Sequence, residues 1–391
     1  MPFGPFVMQW RAPSPNPPKA NPLPSGIART YIKTPSGPLE LLSVTPSSPN
    51  PSAPPLFFAH GGFGCAEIWI DYMQLFASKG YPCYAMSYRG HGKSWYPGFW
   101  RMYFTSRGFV AGDLVAGIEH VESLERDRRQ EDDVKVVLIA HSAGGALSQY
   151  VLSRGLAKVY GFCMLAAVPG FGSYVSPVMP NHLFNTLVAQ RTNKISSFGC
   201  YKFWSLTAPI HFPYRLFHSK YILANTQQVK DAFFTSDTPT KVVQHLERLL
   251  APYESMLWPL QSLFRFVTGP DVLSSIIGWR PRKLTTTSTK LQPGGAGVTQ
   301  RLLVLAAEHD VLCTPAISLD AAQRYRAGFH ELMRKGKLEG IRRSDESSEQ
   351  EQGSEWDGVA FKLVPGLGHH LQNHVGWESG AQELLTWIEQ L

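Results

Sequence analysis

This 391-residue sequence predicts an α/β architecture: a doubly wound, mostly parallel sheet with a helical cap inserted after the sixth strand. Three observations lead there. Short apolar runs, each ended by Gly, His or Pro, alternate with segments of helical periodicity, the pattern of a parallel sheet covered on both faces. One of these runs, 134–140, is apolar except for Lys135 instead of alternating, as a strand buried on both sides is. The alternation then lapses between 170 and about 298, where aromatics and prolines accumulate, and resumes afterwards.

Residues 29–33 and 39–44 read as an opening hairpin around Ser36-Gly37, and 56–59 as a third strand ending in His60-Gly61-Gly62-Phe63-Gly64. Ile68, Tyr72, Leu75 and Phe76 share a helical face that Gly80 closes as a left-handed cap. A fourth strand at 81–87 leads into Arg89-Gly90-His91-Gly92-Lys93-Ser94, and Leu114, Val115, Ile118 and Val121 mark the next amphipathic helix. The fifth strand, 134–140, runs into His141-Ser142-Ala143-Gly144-Gly145, followed by a helix that turns Ala146, Leu147, Tyr150 and Val151 inward. The sixth spans 162–168. Inside the interruption, Val242, Val243, Leu246, Leu249 and Leu250 lie on one helical face. Strand 301–306, a helix with Ile317, Ala321, Tyr325 and Phe329, strand 359–364 and a closing helix with Leu384, Leu385 and Ile388 complete the series.

The organisation that follows is a Pro-rich tail at 1–26, a body formed by 27–169 and 299–391, and a cap or lid at 170–298, with low-complexity surface loops at 283–297 and 335–358. A hydrophobic content of 43% against 17% charged residues predicts a globular chain. The net charge of +7 comes from cations scattered among acids, so nucleic acid is not an expected partner. Cys65, Cys83, Cys163, Cys200 and Cys313 have no paired spacing and read as free thiols of a reducing compartment. The most apolar stretch, 257–277, is broken by Pro259, Arg265, Pro270 and Asp271, so no integral membrane segment is expected. A cytoplasmic, soluble protein is the resulting expectation.

The chemistry begins at Ala140-His141-Ser142-Ala143-Gly144, a small-x-Ser-x-Gly match between a buried strand and a helix. In a nucleophile elbow the strand turns sharply into the helix, and small neighbours permit the strained backbone that exposes the Ser hydroxyl. The match alone is weak and its context carries the weight. A Ser hydroxyl needs a base within hydrogen-bond reach and a third group to orient that base.

The succession His60-Gly61-Gly62-Phe63-Gly64, then Arg89-Gly90-His91-Gly92-Lys93-Ser94, then Ala140 to Gly144 resembles the α/β-hydrolase superfamily, and within it the capped serine esterase and lipase branches with an R-G-H-G-x-S turn. The sequence departs from that pattern at Ala140, where Gly is usual, and at Ser87, where many members carry Asp. The resemblance implies Ser142 as nucleophile, His369 as general base with His370 as the alternative, and Asp310 as the orienting acid with Glu308 as runner-up. It implies an oxyanion hole from the N–H groups of Ala143 and Gly62, with Phe63 the alternative to Gly62. His60, Arg89 and His91 are expected to be scaffold.

Gly92-Lys93-Ser94 imitates the end of a phosphate loop, but Ser87 stands where its first Gly belongs. His369, His370 and His374 lack any metal-site motif, so neither metal nor cofactor is expected. The resulting expectation is an acyl-transferring serine hydrolase for a small, largely apolar ester, with thioesters and lactones behind it and transient membrane contact through the cap. The rival is a non-catalytic relative that binds an apolar ligand.

Overall fold

The computed structural model describes residues 13–172, 223, 225–252, 254–255, 257, 261–262, 264–281, 298–338, 340–341 and 358–391. Eight strands form one sheet in the order β1-β2-β4-β3-β5-β6-β7-β8. They are β1 (Ala28–Ile32), β2 (Leu39–Val44), β3 (Leu56–Ala59), β4 (Cys83–Met86), β5 (Val137–His141), β6 (Gly161–Leu165), β7 (Leu302–Ala307) and β8 (Val359–Val364). Only β2 runs antiparallel to its neighbours, β1 and β4, while the six strands from β4 to β8 are mutually parallel.

Every residue of β3, β5, β6 and β7 is buried, whereas the edge strands β1 and β8 show exposed positions. Consecutive side chains of a strand leave on opposite faces, and the sheet uses both. Phe58, Ile139 and Leu303 pack on one side with Trp69, Tyr72 and Phe76 and with Leu384 and Leu385. These belong to α1 (Ile70–Ser78), the 3₁₀ turn before it, and the closing helix, α9 (Trp377–Ile388). Phe57, Leu138 and Phe162 pack on the other side with Leu114, Leu147, Tyr325 and Phe329. Those come from α3 (Arg107–Arg129), α4 (Ser142–Ser153) and α8 (Pro315–Arg334). A short α2 (Phe99–Tyr103) precedes α3.

Between β6 and β7 the structure describes α5 (Thr226–Phe233), α6 (Thr240–Leu249) and α7 (Gly269–Leu273). Val229, Phe233, Val243 and Leu246 join the cluster on the α1 face. Val272, Ile276 and Trp279 join the opposite one, and Ile277 N–H donates to Val159 O at 3.0 Å. The described parts of this stretch therefore bury apolar surface against both faces of the sheet. Residues 173–222, with Phe203, Trp204, Phe212, Tyr214 and Phe217, lie outside the described residues, as do 282–297, 342–357 and Cys200.

Of the expected tail, residues 1–12 also lie outside them, but Ser14 pairs with Tyr96 through two backbone hydrogen bonds. Several expected elements are shorter than their apolar runs. The sixth strand stops at Leu165 because Ala166 is left-handed, φ 44°, and the fourth is confined to 83–86. The expected helix around Ile68 opens as a 3₁₀ turn, and α2 had no periodicity to announce it. Cys65, Cys83, Cys163 and Cys313 are buried, and among the described residues none of them forms a disulfide. No helix among the described residues is long and apolar enough to cross a membrane.

Candidate active site

Chain direction places the candidate residues together: β3, β5, β7 and β8 are parallel, so the turns that follow them gather at the carboxyl edge of the sheet. Strand β5 ends at His141, and Ser142 opens α4 with φ 50°, a left-handed conformation that costs a non-glycine residue about 1–3 kcal/mol. Close packing holds it there. A Cβ on Gly144 would overlap the His60 carbonyl oxygen, and one on Gly61 would lie 2.8 Å from Ser142 Cβ, so both turns need glycine where they meet. Ala140, the departure from the usual pattern, is fully buried in β5.

Ser142 Oγ lies 2.8 Å from His369 Nε2, and His369 Nδ1 lies 2.8 Å from Asp310 Oδ2. Asp310 Oδ1 accepts the N–H groups of Leu312 and Cys313, each at 2.8 Å. The Asp310 and His369 side chains are sealed from solvent, whereas that of Glu308 is 41% exposed and accepts the Gly366 N–H. Of the two acid candidates, the structure thus brings Asp310 to the imidazole. His370 turns away into a pocket with Phe233, Phe234 and His141, where burial and the neighbouring His369 hold its pKa down to about 3.

Ala143 lies in the first turn of α4, where backbone N–H groups have no partner within the helix. A Cβ on Gly62 would lie 3.8 Å from Ala143 Cβ, so the two candidate oxyanion donors are neighbours. The alternative donor, Phe63, directs its N–H to Glu254 Oε2 at 2.8 Å.

Around this group the expected scaffold residues are in place. His60 lies 2.7 Å from Gly61 O through Nδ1 and accepts the Tyr88 N–H through Nε2 at 3.1 Å. Those partners specify the neutral Nδ1–H tautomer, and burial, then His91, push its pKa down to about 3. Arg89 holds Asp113 through Nε and Nη2 at 2.8 and 2.6 Å. Glu40 accepts from Ser87 Oγ and Lys93 N–H, which ties the Gly92-Lys93-Ser94 turn to β2 in place of a phosphate.

His141 and Glu254 escaped sequence reasoning, and Phe233 was legible as one of the aromatics that accumulate at 170–298 and are expected to line part of the pocket. His141 donates from Nε2 to the His369 carbonyl at 2.9 Å; burial, then His370 and His369, hold its pKa well below the usual range. Phe233 stacks on the His369 ring, centroids 5.8 Å apart. Glu254 reaches the turn after β3 from 191 positions away. His141 adjoins Ser142 and was within reach of a local reading, whereas Glu254 sits where the sequence offers no register.

Donor atoms of Asp310, Cys313 and His369 lie within 4.8 Å of one another, but Asp310 and His369 already hydrogen-bond to each other. His374 Nε2 lies 3.1–3.2 Å from Thr235 N and the hydroxyls of Thr235 and Thr238, apart from the other two histidines of the sequence cluster.

Solved structures similar to this one include a thermophilic esterase from Thermogutta terrifontis, 13% identical, at a TM-score of 0.53 over 93% of this chain and 98% of that one. An esterase from Exiguobacterium antarcticum is 13% identical at a TM-score of 0.52, over 92% of this chain and 99% of that one. At such identities the likeness shows a shared fold. A family model described as the alpha/beta hydrolase family matches residues 56–377, most of the sequence, and the chain belongs to that family.

Proposed function

We propose that this member of the family is a serine hydrolase that cleaves a carboxylic ester through an acyl-enzyme. The observation that carries this reading is the continuous hydrogen-bonded series from Ser142 Oγ through the His369 ring to Asp310, joined to a nucleophile with φ 50° at a helix N-terminus.

In this reading Ser142 Oγ attacks the ester carbonyl carbon while His369 Nε2 takes its proton. Asp310 stabilises the imidazolium and keeps Nδ1 protonated. The carbonyl oxygen becomes an oxyanion facing the N–H groups of Gly62 and Ala143, and its collapse expels the alcohol, which takes the proton from His369. Water then repeats the sequence on the acyl-Ser142 ester, giving up a proton to His369, and the departing Ser142 oxygen recovers it. Thioesters and lactones fit the same steps. A Ser in place of Asp at the elbow speaks against carboxylate-nucleophile chemistry. The aromatic character of the inserted stretch, with Phe233 against His369, favours a small, largely apolar substrate and offers an apolar surface for transient membrane contact.

A fluorophosphonate is expected to label Ser142, and Ser142→Ala to abolish both labelling and hydrolysis of a p-nitrophenyl ester. Labelling at another serine, or hydrolysis unchanged in Ser142→Ala, overturns the assignment. Absence of labelling and turnover in the native chain favours the non-catalytic, ligand-binding alternative.

A further inference from the structure

The turn that carries Gly62 is held from outside the sheet. Gly64 N–H donates to Gly61 O at 3.1 Å, and Phe63, third in this turn, has φ 60°. That is the arrangement of a type II turn, whose third position normally takes Gly or Asn. A phenylalanine there favours rotating the Gly62–Phe63 peptide into the type I form, which reverses the Phe63 N–H and the Gly62 carbonyl.

Both backbone groups of Phe63 are engaged by the inserted stretch. Its N–H donates to Glu254 Oε2 at 2.8 Å, and its carbonyl accepts the Ala251 N–H at 2.7 Å. A carboxylate at that position accepts from an N–H and repels a carbonyl oxygen, so it selects the observed form of the turn. Glu254 is itself fixed: Oε1 accepts the Ser255 N–H at 2.7 Å, and Oε2 lies 3.1 Å from His91 Nε2. His91 Nδ1 lies 2.9 Å from Arg89 O, which can only accept, so with an ionised Glu254 both ring nitrogens carry protons.

We propose that Glu254, paired with His91, is a positioning residue through which the inserted stretch locks the Gly62–Phe63 peptide, and that this fixes the turn as a whole, including the adjoining Gly61–Gly62 peptide whose N–H faces the oxyanion. The pairing serves a second purpose, because a lone buried carboxylate beside a developing oxyanion would oppose it, whereas an imidazolium–carboxylate pair adds no net charge. The other groups facing the pair are compatible. His60 is neutral, Tyr88 is held protonated by burial, and Asp113 is neutralised by Arg89. Burial disfavours the charge on each partner, but their mutual attraction and the hydrogen bonds to Arg89 O, Phe63 N and Ser255 N outweigh it. The His91 pKa therefore lies above its usual value and that of Glu254 below.

The inference rests on Gly62 and Ala143 as oxyanion donors in the proposed hydrolase, and labelling of Ser142 tests that reading separately. The experiment compares the native chain with Glu254→Gln, which keeps an acceptor for Phe63 N–H, and Glu254→Met, which keeps the volume without one. For a p-nitrophenyl ester, kcat of Glu254→Met falls about 10- to 100-fold, with KM and the rate of cooperative unfolding little changed. Affinity for a trifluoromethyl ketone, which forms a tetrahedral adduct, falls in parallel, and Glu254→Gln stays within about threefold of native in both. Glu254→Ala, where water can replace the carboxylate, is read in the same way if Glu254→Met does not melt cooperatively. Native kcat in the acceptor-free variant, a loss confined to KM, a loss of kcat without loss of ketone affinity, or an equal loss in Glu254→Gln overturns the proposal. An unlabelled, inactive native chain overturns the hydrolase reading instead.

Discussion

The carboxylate of Asp310 is divided between two tasks: Oδ2 faces His369 Nδ1 at 2.8 Å, while Oδ1 accepts the N–H groups of Leu312 and Cys313. The backbone of its own loop thus sets the plane in which the carboxylate meets the imidazole. Asp310→Asn keeps the shape but presents an amide that can donate to Nδ1 and favour the wrong tautomer. We expect kcat to fall by roughly 10³–10⁴ with the melting temperature little changed. Glu308→Gln, on a solvent-exposed side chain that serves the Gly366 turn, stays within about threefold of native. Steady-state kinetics of the two variants decides, and the reverse ranking would transfer the role to Glu308.

Close backbone contact around the elbow makes a second expectation. Gly144→Ala drives a methyl into the His60 carbonyl oxygen, backbone that cannot swing aside, and should cost about 2–4 kcal/mol. Gly61→Ala presses on Ser142 Cβ and on His141 Nδ1, so its damage falls on kcat first. In contrast, a Cβ on Gly112 within α3 meets nothing within 4 Å, and Gly112→Ala should stabilise by about 0.5–1 kcal/mol. Urea unfolding of the three variants checks the order; a harmless Gly144→Ala would mean that the elbow is looser than described.

The legible parts of this site are those that follow a strand within a few residues. Ser142, Asp310 and His369 each stand in the turn after an apolar run, and the parallel arrangement of those runs brings the turns together. The contact between Glu254 and Phe63 has no such cue, because an acid between Tyr253 and Ser255 carries no periodicity and its partner lies in the first hundred residues. Strand ends failed for a related reason. Apolar character continues through Ala166, Ala167 and Val168, but the left-handed Ala166 ends β6, and Val168 N–H turns to Ser142 O at 3.0 Å. Conformation there is imposed by the neighbouring elbow, which local propensity does not register.

Buried neutral histidines predict weakness toward acid. The folded-state pKa values of His60 and His370 are near 3 and that of His141 is well below normal, against 6.5 for each when unfolded. Below pH 6.5 the unfolded chain therefore binds more protons than the folded one, and stability falls by up to about 1.4 kcal/mol per pH unit for each histidine. His91 has the opposite sign: its raised pKa adds stability that is complete below 6.5 and lost as pH rises through the folded value. Three against one leaves a net loss of about 2–4 kcal/mol between pH 7.5 and 5.5. Urea midpoints at the two pH values measure it, and equal or greater stability at pH 5.5 would mean that these rings are protonated in the fold.

Substrate preference follows from what surrounds His369. Phe233 stacks on its ring, and Phe234 packs beside His370 and His374, so the inserted stretch places apolar surface beside His369. In the proposed reading the aromatics of that stretch supply part of the acyl site. Each acyl methylene buried there adds up to about 0.8 kcal/mol of transition-state binding until the space is filled. A charged peptide gains little from the same surface and loses hydration on meeting it. We therefore expect kcat/KM for neutral p-nitrophenyl esters to rise from acetyl toward medium chain lengths, by up to about fourfold per methylene, and peptides to be poor substrates. Phe233→Ala should flatten that rise while leaving the acetyl ester the least affected. A preference for the acetyl ester over every longer one would show that this surface closes the acyl site instead of lining it.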